Sequence, residues 1–362
     1  MSSDLRIGIV GLGKMGMIRK DVLEGMEGVK VTALCDPTFE NIVEVQDDLL
    51  RTADYGDLID SGIEAIFICT PNNVTAEIAV ASLEAGLHVF CEKPPGRDLT
   101  DTRAILEAAE RMPGLKLKFG FNHRYHGSVI QAHAMVNSGH LGKLLWMRGV
   151  YGKSGGLGFD KSWRSDRDVA GGGILLDQGI HMLDLFRLFA GEFAHCQSMV
   201  TNSYWPIDME DNVFALLRTE EGIVATLHSS ATLWKHTFLL DIGFTEGHLS
   251  LDGILSGTGS YGPETLVISR RQFEDESFAL GKPRQEVVYF DTDHSWAGEI
   301  NEFIDCIRND KPIEVGTPED AWRTMELVYR IYASDEAWRH SDGAEEEIKN
   351  QGRLSHFTGE EL

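Results

Sequence analysis

The sequence predicts a two-part fold. An N-terminal α/β part is built on a doubly wound parallel sheet, and the part after it is carried by a large open, mainly antiparallel sheet. Three observations predict it. Leu5–Gly16 (LRIGIVGLGKMG) runs an apolar strand straight into Gly11-x-Gly13-x-x-Gly16. Short apolar runs, each followed by a helical stretch, continue to about residue 125. Beyond that point strand-like segments alternate with turn signals such as Glu221-Gly222 and Glu246-Gly247.

The elements follow in order. Strand Leu5–Val10 leads into a helix reaching about Gly25, and strand Val29–Cys35 into a helix from about Glu40 to Leu50. Strand Ala65–Cys69 passes through Thr70-Pro71-Asn72-Asn73 to a helix over Ala76–Ala85. Strand His88–Cys91 passes through Glu92-Lys93-Pro94-Pro95 to a helix over Thr100–Arg111, and strand Leu117–Phe121 comes next. Apolar strands without alternation, each followed by a helix, imply a parallel sheet buried on both faces. A helix over Ser128–Asn137, a strand over Leu144–Tyr151 and a Gly-rich stretch then precede a long helix, Ile174–Phe189. The later strands are Val213–Arg218, Ile223–Ser229, Phe238–Phe244, His248–Leu251, Thr265–Ser269 and Glu286–Tyr289. Helices near Glu299–Arg308 and Glu319–His340 are expected to return to the first domain. The domains are therefore read as 1–125 for the nucleotide, 126–340 for substrate and oligomerisation, and 341–362 as a polar, partly disordered tail.

Composition narrows the partners. A chain of 362 residues with 42% hydrophobic content supports two cores. A formal net charge of −24 repels nucleic acid and anionic membranes. No signal peptide and no bilayer-spanning apolar run is visible, so a cytoplasmic location is expected. Cys35, Cys69, Cys91, Cys196 and Cys306 form no CxxC pair and read as buried free thiols. His123, His126, His133 and His140 fit no metal spacing and read as solvated positions, so no metal is expected.

The glycine turn points to a dinucleotide. Gly11 permits the tight turn, Gly13 keeps a side chain away from the pyrophosphate, and Gly16 lets the helix pack close to the sheet. The helix starts near Lys14 or Met15, with N–H groups directed at the phosphates. Asp36 ends the second strand 20 positions after Gly16, where a carboxylate accepts ribose hydroxyls. It repels a 2′-phosphate, and Pro37, Thr38 and Phe39 offer no cation for one, so NAD is expected over NADP.

Candidate chemistry sits elsewhere. Lys93 follows a strand at the carboxyl edge of the nucleotide sheet, where ligands collect. Asp177 and His181 lie four apart in GGGILLDQGIHMLDLF and share one helix face. Together these groups suit oxidation of a secondary alcohol. His181 takes the hydroxyl proton, Asp177 orients the ring, and the Lys93 ammonium stabilises alkoxide charge. Asn122 and Arg124 follow the last strand of the first sheet; Lys153, Trp163 and Arg164 precede the Asp–His helix and suit a polyol or phosphate. For Arg124 and Arg164 a domain-interface salt bridge is the competing reading. Trp234 and His236, read as lying on a sheet strand, are further candidates. The open sheet predicts a homo-oligomer built sheet against sheet, a dimer or a tetramer.

GLGKMG, the TPN of Thr70–Asn72, CEKP with Lys93, GFNHRY and GGGILLDQGIHMLD together resemble the Gfo/Idh/MocA oxidoreductase family over about residues 5–335. The resemblance implies a Rossmann domain, a C-terminal α/β domain with an open sheet used for dimer or tetramer contacts, and catalytic positions at Lys93, Asp177 and His181. It places cofactor contacts on Gly11, Gly13, Met15, Gly16, Asp36, Thr70, Pro71, Asn72, Glu92 and Lys93, with a Lys93–Pro94 bond that is often cis. Many relatives have His shortly after TPN where this chain has Val74-Thr75, a difference at the nicotinamide end. The region from Trp163 to Leu266 also looks like members associated with surface-polysaccharide or nucleotide-sugar pathways. Hydride transfer with a ring alcohol of a sugar, sugar derivative or cyclitol is the leading expectation. An NAD-dependent glycoside hydrolase and a non-catalytic ligand sensor are the alternatives.

Overall fold

Seven strands of the N-terminal part form one sheet: β1 (Leu5–Val10), β2 (Val29–Cys35), β3 (Glu44–Gln46), β4 (Leu49–Thr52), β5 (Ala65–Ile68), β6 (His88–Cys91) and β7 (Leu117–Phe119). Their order is β3-β4-β2-β1-β5-β6-β7, and every pair is parallel except β3 with β4. The computed structural model describes residues 4–39, 43–272 and 282–338. Reversal of strand order on either side of β1 puts a crevice at the strands' carboxyl ends, where nucleotides bind in such sheets. Helices Lys14–Glu24, Asn72–Glu84 and Leu99–Arg111 connect the strands. The last of these starts where Asp98 caps the Asp101 amide at 2.8 Å. Ile7, Ile9, Phe67 and Phe90 are fully buried, and Phe303 packs edge-on against both phenylalanine rings at 5.6 Å.

One element differs from expectation. The helix placed over Glu40 to Leu50 is a hairpin over its described part, β3 and β4, while residues 40–42 lie outside the description. Asp47 and Asp48 both take left-handed backbone (φ 54° and 63°), as a two-residue turn between right-twisted strands requires. A short helix, Tyr55–Ile59, follows, and the sequence reading did not place it.

The second sheet contains β8 (Leu144–Gly152), β9 (His195–Thr201), β10 (Asn212–Arg218), β11 (Val224–Ser230), β12 (Thr237–Phe244), β13 (Gly247–Asp252), β14 (Glu264–Arg270) and β15 (Gln285–Phe290). Their order is β15-β14-β13-β12-β8-β11-β10-β9, antiparallel throughout except where β8 meets β11. Strand β9 was not expected. Trp234 and His236 precede β12 and do not lie on it, because the chain enters the ladder only at Thr237. On β10 burial alternates: Val213, Ala215 and Leu217 are buried while Phe214 and Leu216 stand exposed on the other face. The expected helix Ile174–Phe189 divides into a π-helical turn, Leu175–Gly179, and an α-helix, Ile180–Ala190.

The chain divides into two units. One comprises Met1–Asn122 with Asp168–Gly171 and Trp296–Met325; the other comprises His123–Arg167, Gly172–Ser295 and Glu326 onward. The terminal helices run over Ser295–Arg308 and Pro318–Ser334, so the second ends before the expected His340, and the 341–362 tail lies outside the description. All five cysteines are free.

Candidate active site

In the first unit the glycine turn is built as its letters require. Gly11 has φ +86°, and a Cβ there would stand 2.6 Å from the Cys69 carbonyl oxygen. A Cβ at Gly16 would stand 1.9 Å from the Gly11 carbonyl oxygen, so helix and turn meet only because Gly16 has no side chain. At Gly13 a Cβ would meet nothing within 4 Å, which leaves open space before the backbone. Helix Lys14–Glu24 starts there with no side-chain cap and no carboxylate in its first turn. Lys14 is exposed and Met15 half-buried beside it. An uncapped helix start facing open space fits a pyrophosphate.

Asp36 stands at the end of β2. Its carboxylate accepts the Leu12 amide at 2.7 Å and the Thr38 amide at 3.0 Å. Burial works to raise this group, but hydrogen bonds from Thr38 and Leu12 outweigh it and hold Asp36 below the usual carboxylate range. It is therefore an ionised acceptor beside the glycine turn, as a ribose contact must be. Thr70 and Pro71 follow β5, and Pro71 opens helix Asn72–Glu84. The Asn72 amide group donates to the Ala170 carbonyl at 2.7 Å, so part of its capacity is spent within the protein.

Glu92 and Lys93 follow β6, and the Lys93–Pro94 bond is cis. One Glu92 oxygen accepts Arg19 Nε at 2.8 Å and Arg19 Nη2 at 2.6 Å. Arg19 is fully buried and also donates to Glu299; its guanidinium lies 4.5 Å from the Phe90 ring centre and 4.9 Å from that of Trp296. Burial pushes the Glu299 carboxyl up to about 7, against the pull of Arg19. Glu92 is thus held from behind by a buried arginine, a link the sequence reading missed. Asn122 is buried just past β7.

In the second unit Lys153, Arg164 and Asp177 come together. Lys153 Nζ donates to the Asp177 carboxylate, and Arg164 Nε lies 3.5 Å from its other oxygen. The Arg164 guanidinium also stacks on Trp163, 4.3 Å from the ring centre. Asp177 sits in the π-helical turn, whose Ile180 amide bonds back to Leu175. Single π turns recur at functional sites.

Glu210 fixes the head of this turn. Its buried carboxylate accepts the Gly173 and Leu175 amides, both at 2.9 Å, and the Tyr332 hydroxyl at 2.7 Å. Burial nonetheless pushes it up to about 7. A Cβ at Gly173 would stand 2.1 Å from the Glu210 carbonyl oxygen, which explains one glycine of the Gly171–Gly173 run.

His181 is 4% exposed and its ring stacks on His123 at 3.8 Å between centres. His123 Nε2 hydrogen-bonds the Tyr151 hydroxyl at 2.9 Å. The Tyr151 hydroxyl is raised well above its ordinary value, first by burial and then by charge that includes Asp177. Tyr261, 5.4 Å from Tyr151 between ring centres, is raised for the same reasons and donates to Gln178 at 3.3 Å. The solvated reading of His123 and His126 is corrected here, since both are buried. His123 packs between His181 and Tyr151, and His126 bonds Glu264 at 2.8 Å. The signal for His123 was the GFNHRY motif itself; nothing local marked Tyr151, Gln178 or Tyr261. Arg124 is committed elsewhere: it grips Asp184 with both arms, at 2.8 and 2.5 Å, a salt bridge inside the second unit and not the domain-interface bridge weighed against substrate contact. Among the described residues no group of three His, Cys, Asp or Glu side chains is placed to hold a metal ion, and no helix is long and apolar enough to cross a membrane.

A doubly wound sheet with a glycine turn and an ionised carboxylate at the end of its second strand, together with a second, open antiparallel sheet, is the layout of an NAD-binding oxidoreductase. Residues 5–119 match the oxidoreductase family with an NAD-binding Rossmann fold, and residues 129–250 match the GFO/IDH/MocA C-terminal domain. The chain belongs to the GFO/IDH/MocA oxidoreductase family. It is 27% identical to levoglucosan dehydrogenase of Pseudarthrobacter phenanthrenivorans over 63% of this chain and 67% of that protein. It is 25% identical to myo-inositol 2-dehydrogenase of Thermotoga maritima over 92% of this chain and 97% of that protein. A solved structure of levoglucosan dehydrogenase in complex with NADH has a TM-score of 0.77 at 21% identity, covering 92% of this chain and 97% of that one, which supports the fold.

Proposed function

We propose that the protein oxidises a ring secondary alcohol of a sugar, a sugar derivative (nucleotide-sugars included) or a cyclitol, or runs the reverse reduction. The observation that carries this reading is the Lys153–Asp177–Arg164 cluster, set one turn before a buried His181 in an NAD-binding chain. Relatives named for levoglucosan and for myo-inositol support a ring alcohol as substrate.

When bound, NAD supplies the hydride acceptor. Gly11, Gly13, Lys14, Met15 and Gly16 would hold its pyrophosphate and Asp36 its ribose, with Thr70, Pro71, Asn72, Glu92 and Asn122 around the remainder. His181 takes the hydroxyl proton, so an alcohol carbon becomes a carbonyl as its hydride leaves. Asp177 stabilises the imidazolium by its charge, and the Lys93 ammonium stabilises the oxygen as negative charge develops there. Lys153 and Arg164 bind ring hydroxyls, and Trp163 packs against an apolar ring face. Arg124 positions its helix through Asp184. The first unit serves the cofactor and the second the substrate. Met199, Phe214, Leu216 and Tyr289, exposed on one sheet, form the face on which copies of the chain pair as a homodimer or homotetramer. Free cysteines suit a cytoplasmic enzyme.

Stopped-flow absorbance at the NADH band, with a panel of sugars and cyclitols, tests the reaction. At least one substrate is expected to reduce the cofactor, and His181→Ala or Lys93→Ala to lower kcat/KM by roughly 10²–10⁴-fold. Failure of every substrate on NAD-loaded protein overturns the reading. Sugar release from an aryl glycoside without net NADH change would assign a hydrolase instead.

A further inference from the structure

A group of aromatic side chains in the second unit lies outside the chemistry described above. Tyr204 and Trp234 are 61% and 58% exposed and meet edge to face at 4.8 Å. Trp205 backs them, 5.1 Å from Tyr204 and 6.2 Å from Trp234, and Phe159 lies 4.7 Å behind Trp205. Trp234 holds left-handed backbone, φ 56°, which a bulky L-residue adopts only under constraint.

The support beneath this pair is rigid. One buried carboxylate, Asp211, accepts the amides of Ser203, Tyr204 and Trp205 at 2.9, 2.7 and 3.0 Å and the Asn212 side-chain amide at 3.0 Å. The Trp205 indole donates to the Ala231 carbonyl at 3.0 Å. A loop fixed by so many bonds presents the Tyr204 ring to solvent without ordering it first, and Trp234 meets that ring from the segment before β12.

Within the same unit, the backbone that carries Lys153 runs past Trp205, which backs the pair. The Lys153 amide donates to the Ser230 carbonyl at 2.9 Å, one residue before Ala231. A Cβ on Gly155 would stand 2.1 Å from the Trp205 ring, and two residues of chain reach at most about 7 Å. Two exposed rings are far short of the roughly 800 Å² per partner that a stable protein interface needs. Set at 80° to each other, they suit one pyranose, one ring lying against its apolar C–H face and the other closing an edge.

Resting on the sugar-oxidation reading, we infer that Tyr204 and Trp234 form a second subsite, which holds a non-reacting pyranose ring glycosidically linked to the ring that is oxidised. The preferred substrates are then glycosides of two or more rings rather than free monosaccharides or cyclitols.

Calorimetric titration of the NAD-loaded protein with methyl β-glucoside, cellobiose and maltose tests this. At least one disaccharide is expected to bind about tenfold or more tighter than the methyl glucoside. Trp234→Gly, which keeps the left-handed backbone without strain, and Tyr204→Ala should each remove that advantage and leave methyl glucoside affinity unchanged. Equal affinities in the unmodified protein, no binding of either disaccharide, or equal weakening of both ligands in the variants overturns the subsite. So does a change of oligomer mass in Trp234→Gly, which would make the platform a subunit contact. Binding is read without turnover, so lost disaccharide affinity in the variants supports the subsite even where no sugar reduces NAD. Monosaccharide oxidation with no disaccharide advantage would sink the subsite alone.

Discussion

Arg19 is the residue whose removal the structure answers for most directly. It lies between Glu92 and Glu299 with no exposure, so Arg19→Met strands two buried carboxylates. Breaking a buried pair from one side costs about 3–5 kcal/mol. Urea denaturation should show a loss of that size, and Arg19→Met combined with Glu299→Gln should recover part of it; no recovery would show that the arginine acts by packing alone. Glu264 makes the clearest pH statement. Burial would raise it, but the hydrogen bond and charge of His126 and the Ser128 amide prevail and bring it down to about 2. A depressed carboxyl contributes stability that is complete above the unfolded value, about 4.3, and that is lost as pH falls toward 2. The shift corresponds to about 3 kcal/mol. Glu264→Gln should therefore flatten the acid limb of a stability–pH curve followed by circular dichroism below about pH 5. An acid limb as steep as in the unmodified protein would refute the assignment.

The elements were legible where burial writes a simple pattern. Strands β1, β2, β5 and β6 are mostly apolar because both faces are covered over most of their length, with Arg6, Lys30 and His88 near their starts, and each was read from its letters. Strand β9, HCQSMVT, carries small and polar residues at an edge, where little apolar patterning is demanded. The hairpin at Asp47-Asp48 looked helical because paired aspartates are a weaker turn signal than Asn-Gly. The π turn could not be read, since over five residues its period hardly differs from an α-helix. The candidate site was half visible. Asp177 and His181 announced themselves by spacing, while Lys153 was placed near them without its partner being known, because a contact across 24 residues leaves no local trace. Gly173 tests the element itself. Gly173→Ala forces a Cβ onto the Glu210 backbone, so the turn must shift. A destabilisation of about 1–3 kcal/mol is expected, with a fall in kcat as Asp177 moves. Unchanged melting temperature and kcat would show that the turn has slack.

At the scale of the whole molecule the exposed face of the second sheet sets the prediction. Phe214 stacks on His228 at 4.2 Å, and Phe214, Leu216 and Met199 are exposed together across β9 and β10. If copies pair through this face, Phe214→Glu with Met199→Glu should reduce the mass seen by light scattering to that of a single chain. An unaltered mass would move the interface elsewhere.

The first unit is not finished when its seven strands have been made. Phe303, which closes over Phe67 and Phe90, and Glu299, which completes the cage around Arg19, belong to a segment that leaves the ribosome only after the entire second sheet. At about 5–20 residues per second the nascent nucleotide sheet waits on the order of ten seconds or more with one apolar flank uncovered. During synthesis that flank is a surface for chaperones, and expressing residues 1–125 alone would make the wait permanent.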